Sequence, residues 1–114
     1  MDLQAFYQMI DGDYQDTLKR LYSNDLILRF VWKFQDDPSF ALLRDSIAAG
    51  DWGAAFRGAH TLKGVAQDLG FARLYRSSAA LTEQLRGGQP LREKRLWEDV
   101  KEDYAQVIAA IASL

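Results

Sequence analysis

Cysteine is absent from the 114 residues, which excludes disulfide frameworks, thiolate zinc sites, iron–sulfur clusters and cysteine nucleophiles. Histidine occurs once, as His60, so any site that needs two imidazoles is excluded as well. There is no basic surplus. Fourteen Lys and Arg stand against sixteen Asp and Glu, a net charge of −2, whereas a nucleic-acid binder normally carries excess cations to neutralise phosphates. No apolar run approaches the roughly 18–20 residues that cross a bilayer; the greasiest, residues 26–34, is broken by Arg29 and Lys33. The start, Met1-Asp2-Leu3-Gln4-Ala5, lacks the basic and apolar regions of a secretory signal, and Asp2 excludes N-myristoylation. The expectation is a cytoplasmic, monomeric protein with no nucleic-acid partner and no membrane insertion.

What is present is helical punctuation. Only two prolines occur, and the glycines fall mostly at boundaries. A composition of 48% hydrophobic and 26% charged residues suits one globular domain spanning residues 1–114. Apolar spacing predicts helices over about 2–10, 14–22 and 25–36. The third is apolar on most sides, with only Arg29, Lys33 and Asp36 forming a wet stripe, and is expected to be central. Asp37-Pro38 reads as a cap followed by proline at the first helical position, opening a segment that ends at Gly50. That segment is either a separate helix or a kinked extension of the one before. Further helices are expected over 51–68, 71–86 and 92–113, with Leu74, Ala80, Leu81 and Leu85 inward on the second of these. No window alternates long enough for a strand, so the class is all-α, with sequential neighbours packed antiparallel.

Residues 51–70, DWGAAFRGAHTLKGVAQDLG, hold the chemistry. At about 100° per residue, Trp52, Ala55, Phe56, Ala59, Leu62, Ala66 and Leu69 form one apolar stripe, and His60 lies roughly 120° from its centre. The imidazole is therefore expected at a wet flank. Arg57 at i−3, Lys63 at i+3, Gly64 at i+4 and Gln67 at i+7 are its neighbours on that strip. Gly64 costs a helix interior roughly 1 kcal/mol relative to alanine, and it clears the next turn for a close approach. Arg57 and Lys63 supply positive charge for anything anionic on the ring. An exposed imidazole beside cations and a bare turn suits a group that accepts phosphoryl and passes it on, through a covalent phosphoimidazole. No glycine-rich phosphate loop and no arranged acidic pair accompanies it, so the chain is not expected to load ATP by itself.

Ala59-His60-Thr61-Leu62-Lys63-Gly64, followed by Leu69-Gly70 and Leu74, resembles the signature of histidine-containing phosphotransfer (HPt) domains. Residues 48–52 and 81–86 resemble the family too. The resemblance implies an antiparallel up-and-down four-helix bundle, here with additional short N-terminal helices. It implies a phosphorelay intermediate of two-component signalling, in which His60 takes phosphoryl from a receiver-domain aspartyl phosphate and gives it to another receiver aspartate. Lys63 would be the charge partner and Gly64 the small residue that permits docking. The partners would be receiver domains of response regulators or hybrid kinases. No cofactor is expected on this chain, the Mg²⁺ belonging to the receiver. Some members carry a glutamine on the next helix that orients the imidazole; by counting, that position is Thr82, with Ser78 one turn earlier.

Plainer readings stand beside these. Gly64 also fits a tight helix crossing, and Lys63 a snorkelling lysine. Glu98, Asp99, Glu102 and Asp103 read as a solvated face with no metal, and Asp11-Gly12-Asp13 as a turn. Trp32, Phe34, Trp52 and Trp97 read as core, with the apolar residues of 25–36 a possible lining for a groove next to His60. Two other functions fit: a helical adaptor that carries no phosphate, and the substrate domain of a chemotaxis-type kinase.

Overall fold

The computed structural model describes residues 1–114 as seven α-helices and two 3-10 turns, with no strand. They are α1 (Leu3–Met9), α2 (Tyr14–Leu21), α3 (Asn24–Lys33), α4 (Ser39–Ala49), α5 (Trp52–Leu69), α6 (Ala72–Leu85) and α7 (Lys94–Ala112). Side-chain caps set four of the starts. Asp2, Asp13, Ser23 and Asp51 each accept from the backbone N–H three residues on, at 2.8–3.2 Å, satisfying a donor the helix cannot. Gly50 and Gly70 stop α4 and α5 in the left-handed region, at φ 69° and 72°. A 3-10 turn over Phe34–Asp36 closes α3, and extended Asp37 accepts from the Ser39 N–H at 2.9 Å. The segment before Gly50 is thus a separate helix.

α5 occupies the middle. It packs against α4 on one side and α6 on the other, α6 packs on α7, and Phe40 of α4 stacks on Trp97 and Tyr104 of α7. Ala55, Ala59, Leu62 and Ala66 are fully buried, and the small side chains let neighbouring helices approach. The closest approach is at Gly58, where a Cβ would lie 3.0 Å from the Leu43 nitrogen and 3.1 Å from its Cα. A Cβ at Gly64 would meet nothing within 4 Å, so the tight crossing weighed for Gly64 belongs to Gly58.

Several expectations are corrected. α3 lies at the edge: Ile27 and Val31 satisfy its one buried face, leaving Phe30 and Trp32 39% and 42% exposed. Trp32 is therefore not core, and Trp52 and Trp97 are only half-buried. Ala80 is exposed, on the far side of α6 from Leu81 and Leu85. The acidic patch of α7 is not wholly solvated, because Asp103 is buried with its carboxylate 3.4 Å from Arg73. No helix is long and apolar enough to cross a membrane.

The N-terminal helices close the C-terminal end of α5, whose last carbonyls have no partner within the helix. Tyr7 donates its hydroxyl to the Leu69 carbonyl at 2.7 Å, and the Asp13 N–H donates to Gly70 at 2.9 Å. The Arg20 guanidinium donates to the carbonyls of Asp68 and Gln67 at 2.9 and 3.2 Å. Gly12 is where the two segments nearly touch: a Cβ there would lie 2.7 Å from Tyr7 Cδ1 and 2.8 Å from the Gly70 oxygen.

Candidate functional site

Midway along α5, Ala59 and Leu62 are buried and His60 between them is exposed, so the apolar stripe fixes the helix rotation that turns the imidazole outward. None of the chain's side-chain hydrogen bonds engages that ring. Phe56, one turn earlier, stacks on it with ring centroids 5.9 Å apart and planes 16° from parallel. On the helical wheel Phe56 and Lys63 lie to one side of His60 and Gly64 to the other.

The Phe56 side faces the end of α6. The 3-10 turn Arg86–Gly88 packs against α5, and the Arg86 guanidinium carbon sits 5.3 Å from the Phe56 ring centroid, over its face. Arg86 Nε and Nη2 donate to the Glu83 carboxylate at 3.1 and 2.8 Å. Those hydrogen bonds and the charge of Arg86 hold the Glu83 carboxyl below its ordinary range, and Lys63 adds a smaller pull in the same direction. Glu83 in turn raises Arg86. Lys63 is half-buried, forms no ion pair, and keeps its charge available beside the histidine.

On the Gly64 side the surface is open above the helix backbone. Beyond it, α2, α3, the 3-10 turn after α3 and α5 enclose a groove of about 680 Å³ lined by Leu21, Phe30, Phe34, Val65 and Leu69 together with charged Arg20, Lys33, Asp36, Asp37 and Asp68. An apolar residue of the third helix, Phe30, does line a groove, but not one next to His60: its α5 residues lie about one and a half to two and a half turns farther along.

His60, Lys63 and Gly64 are thus brought to one surface strip. Arg57, expected to reach the ring, instead lies back over Gly53, its Nη1 3.7 Å from where a Cβ would stand, because helical side chains lean toward the N-terminus. Gln67 is exposed farther along the strip, with no side-chain hydrogen bond. Ser78 and Thr82 do not orient the imidazole. Both are fully buried, and their hydroxyls donate at 2.6 Å to the carbonyls of Leu74 and Ser78, one turn back on α6. Periodicity places Phe56 in the core stripe, whereas the structure leaves its ring half-buried against His60, and Glu83 and Arg86 lie within the family-like stretch 81–86. The i−4 aromatic and the E-x-x-R spacing on α6 were the available signals. His, Asp and Glu side chains form no group of three able to hold a metal ion.

No curated protein and no solved structure matches the chain. A family model described as the Hpt domain matches residues 37–110, a stretch that holds α4–α6 and nearly all of α7. With its lone imidazole outward on the central helix of that stretch, the chain belongs to the Hpt domain family, phosphotransfer modules that interact with receiver domains in two-component signalling.

Proposed function

We propose that the chain is a phosphorelay intermediate, with His60 shuttling phosphoryl between receiver aspartates. A lone pair on one ring nitrogen forms the P–N bond as the P–O bond to a receiver aspartate breaks. The carboxylate leaves with the bonding pair, and the proton on the other ring nitrogen stays in place. The reverse displacement, by a second receiver's carboxylate, restores the imidazole. Lys63 offsets phosphoryl charge and steers an acidic partner site. Gly64 leaves the backbone bare, so a receiver loop can approach the ring without meeting a side chain. The groove floored by Phe30 and Val65 gives the same receiver an apolar surface to cover. On this reading any Mg²⁺ that the transfer uses would sit on the receiver.

The architecture this reading implies is an antiparallel up-and-down four-helix bundle of α4–α7, with α1–α3 as additional N-terminal helices and the whole chain acting as one module. The packing of α4 on α5, α5 on α6, α6 on α7 and Phe40 on Tyr104 supports that cyclic order.

One observation carries the functional reading: the only imidazole is exposed and free of hydrogen bonds, between an unpaired lysine and an uncovered glycine. His60→Gln should abolish radiolabel uptake from a receiver loaded on its aspartate and leave the helical circular-dichroism spectrum unchanged. Retained labelling sinks the assignment. A kinase core that lacks a receiver should not label the protein; direct labelling would make it a kinase substrate domain instead.

A further inference from the structure

The cation that lies over the histidine's aromatic neighbour is held by a partner open to solvent. Arg86 and Glu83 are 55% and 63% exposed at their side chains, and ion pairs so hydrated hold weakly. The guanidinium lies over Phe56, and Phe56 stacks on His60, so it stands no farther than ~11 Å from the imidazole, about one Debye length at 0.1 M salt. Between the two lies an aromatic face, which attracts a guanidinium along its path. The backbone leaves α6 at Arg86 and turns through Gly87 at φ 74°, which places the root of the side chain against α5.

Resting on the relay reading, we propose that Arg86 is a reserve cation for phosphohistidine: Glu83 holds it in the unphosphorylated protein, and phosphoryl on His60 draws it across the Phe56 ring. A phosphoryl group carries up to two negative charges and three acceptor oxygens, against one charge on the carboxylate, and a guanidinium fork matches it in two-point geometry. Lys63, Arg86 and Glu83 together carry one net positive charge. Glu83 therefore opposes the phosphorylated state as much as it positions Arg86, and it sets the balance between phosphohistidine and the receiver's aspartyl phosphate. In this scheme Arg86 touches the phosphoryl group, and Glu83 and Phe56 are positioning residues.

The test rests on opposite signs. A receiver domain is loaded with acetyl phosphate, freed of donor and mixed with an equal amount of the full chain, and the label is partitioned between histidine and aspartate by their acid and alkali stability. Arg86→Ala should move label toward the receiver by about fivefold, the factor expected of one solvent-screened charge contact at ~4 Å. Glu83→Gln should move it toward His60, and Arg86→Lys should retain part of the wild-type balance. In ¹H–¹⁵N spectra the Arg86 Nε–H signal should shift when the wild type is treated with potassium phosphoramidate, and stay fixed in His60→Gln. If wild-type His60 takes label while both substitutions shift the balance the same way, or neither does, the reserve-cation inference alone is overturned. If His60 takes no label from either donor, the relay reading falls and this inference with it.

Discussion

Alanine at position 64 should make the protein more stable and less competent, whereas alanine at position 58, on the same helix, should make it less stable and leave its competence unchanged. A glycine-to-alanine change in a helix interior gains ~0.8–1.0 kcal/mol of helix propensity. At Gly64 nothing opposes that gain, because the added methyl would meet no atom within 4 Å. With an unfolding entropy of about 2.1 cal/mol/K per residue, the midpoint of a chain this size should rise by ~3–4 °C. At Gly58 the methyl would stand 3.0–3.1 Å from the backbone and Cβ of Leu43, which cannot swing aside as a flexible side chain would. Overpacking of that kind costs ~1–3 kcal/mol. Set against the propensity gain, it leaves a net loss of about 1 kcal/mol and a midpoint ~4 °C lower. Thermal melts followed by circular dichroism give both values. Receiver-dependent labelling of Gly64→Ala should slow by about fivefold, since the methyl then occupies the partner's approach at a cost of ~1 kcal/mol. Labelling of Gly58→Ala, measured well below its midpoint, should match wild type. A lower midpoint for Gly64→Ala, or an unchanged transfer rate, would refute the assignment of that glycine to docking.

Other outcomes follow from the same geometry. Tyr7→Phe leaves the buried Leu69 carbonyl without its donor and should lower stability by ~1–3 kcal/mol in urea titrations, with phosphotransfer unchanged. Gly12→Ala drives a methyl against the Gly70 carbonyl and should destabilise by ~1–3 kcal/mol, opposite in sign to alanine at open Gly64. Leu62→Ala removes a fully buried side chain from the centre of the core and should cost ~2–5 kcal/mol. Burial raises the Tyr7 hydroxyl well above its ordinary value, and Tyr104 is raised as well, mainly by partial burial. The unfolded chain ionises these phenols near pH ~10 while the folded chain keeps them protonated. Stability is therefore full below that pH and declines above it, by up to ~1.4 kcal/mol per pH unit for Tyr7. Denaturant titrations between pH 8 and 11 that show a flat profile would contradict this.

The histidine strip was legible because it depends on one helix alone. The stripe from Trp52 to Leu69 fixes which way α5 is turned, and His60, Lys63 and Gly64 then lie where 3.6-residue periodicity puts them. The caps that Asp13, Ser23 and Asp51 form are local in the same sense, each reaching only three residues on. What could not be read depends on which helix meets which. Gly58 falls about 20° from Leu69, at the border of the apolar stripe, yet only the crossing of α4 shows that no side chain fits there. α3 is apolar enough to be central, yet only Ile27 and Val31 face inward, a matter settled by the neighbours it meets. Counting along α6 pointed to Thr82, but the helix rotation set by Leu74, Leu81 and Leu85 buries that hydroxyl and brings Glu83 and Arg86 to the surface near α5. Aromatic stacking between Phe56 and His60 is a rotamer choice, invisible to periodicity.

The terminal carbonyls of α5 have a further implication for how the chain can be divided. Residues 37–110 carry the family pattern, yet the helix bearing His60 is finished at its lower end by Tyr7, Asp13 and Arg20, which lie outside that stretch. A fragment cut at residue 37 would leave Leu69 and Gly70 exposing groups that the intact chain satisfies, and would uncover Phe71, on which Phe6 and Tyr7 rest. Such a fragment should therefore be less stable than the intact chain. Because those contacts lie seven to ten residues, about 10–15 Å, beyond His60 along the helix, substitutions in α1 that still close that end should leave the transfer chemistry undisturbed.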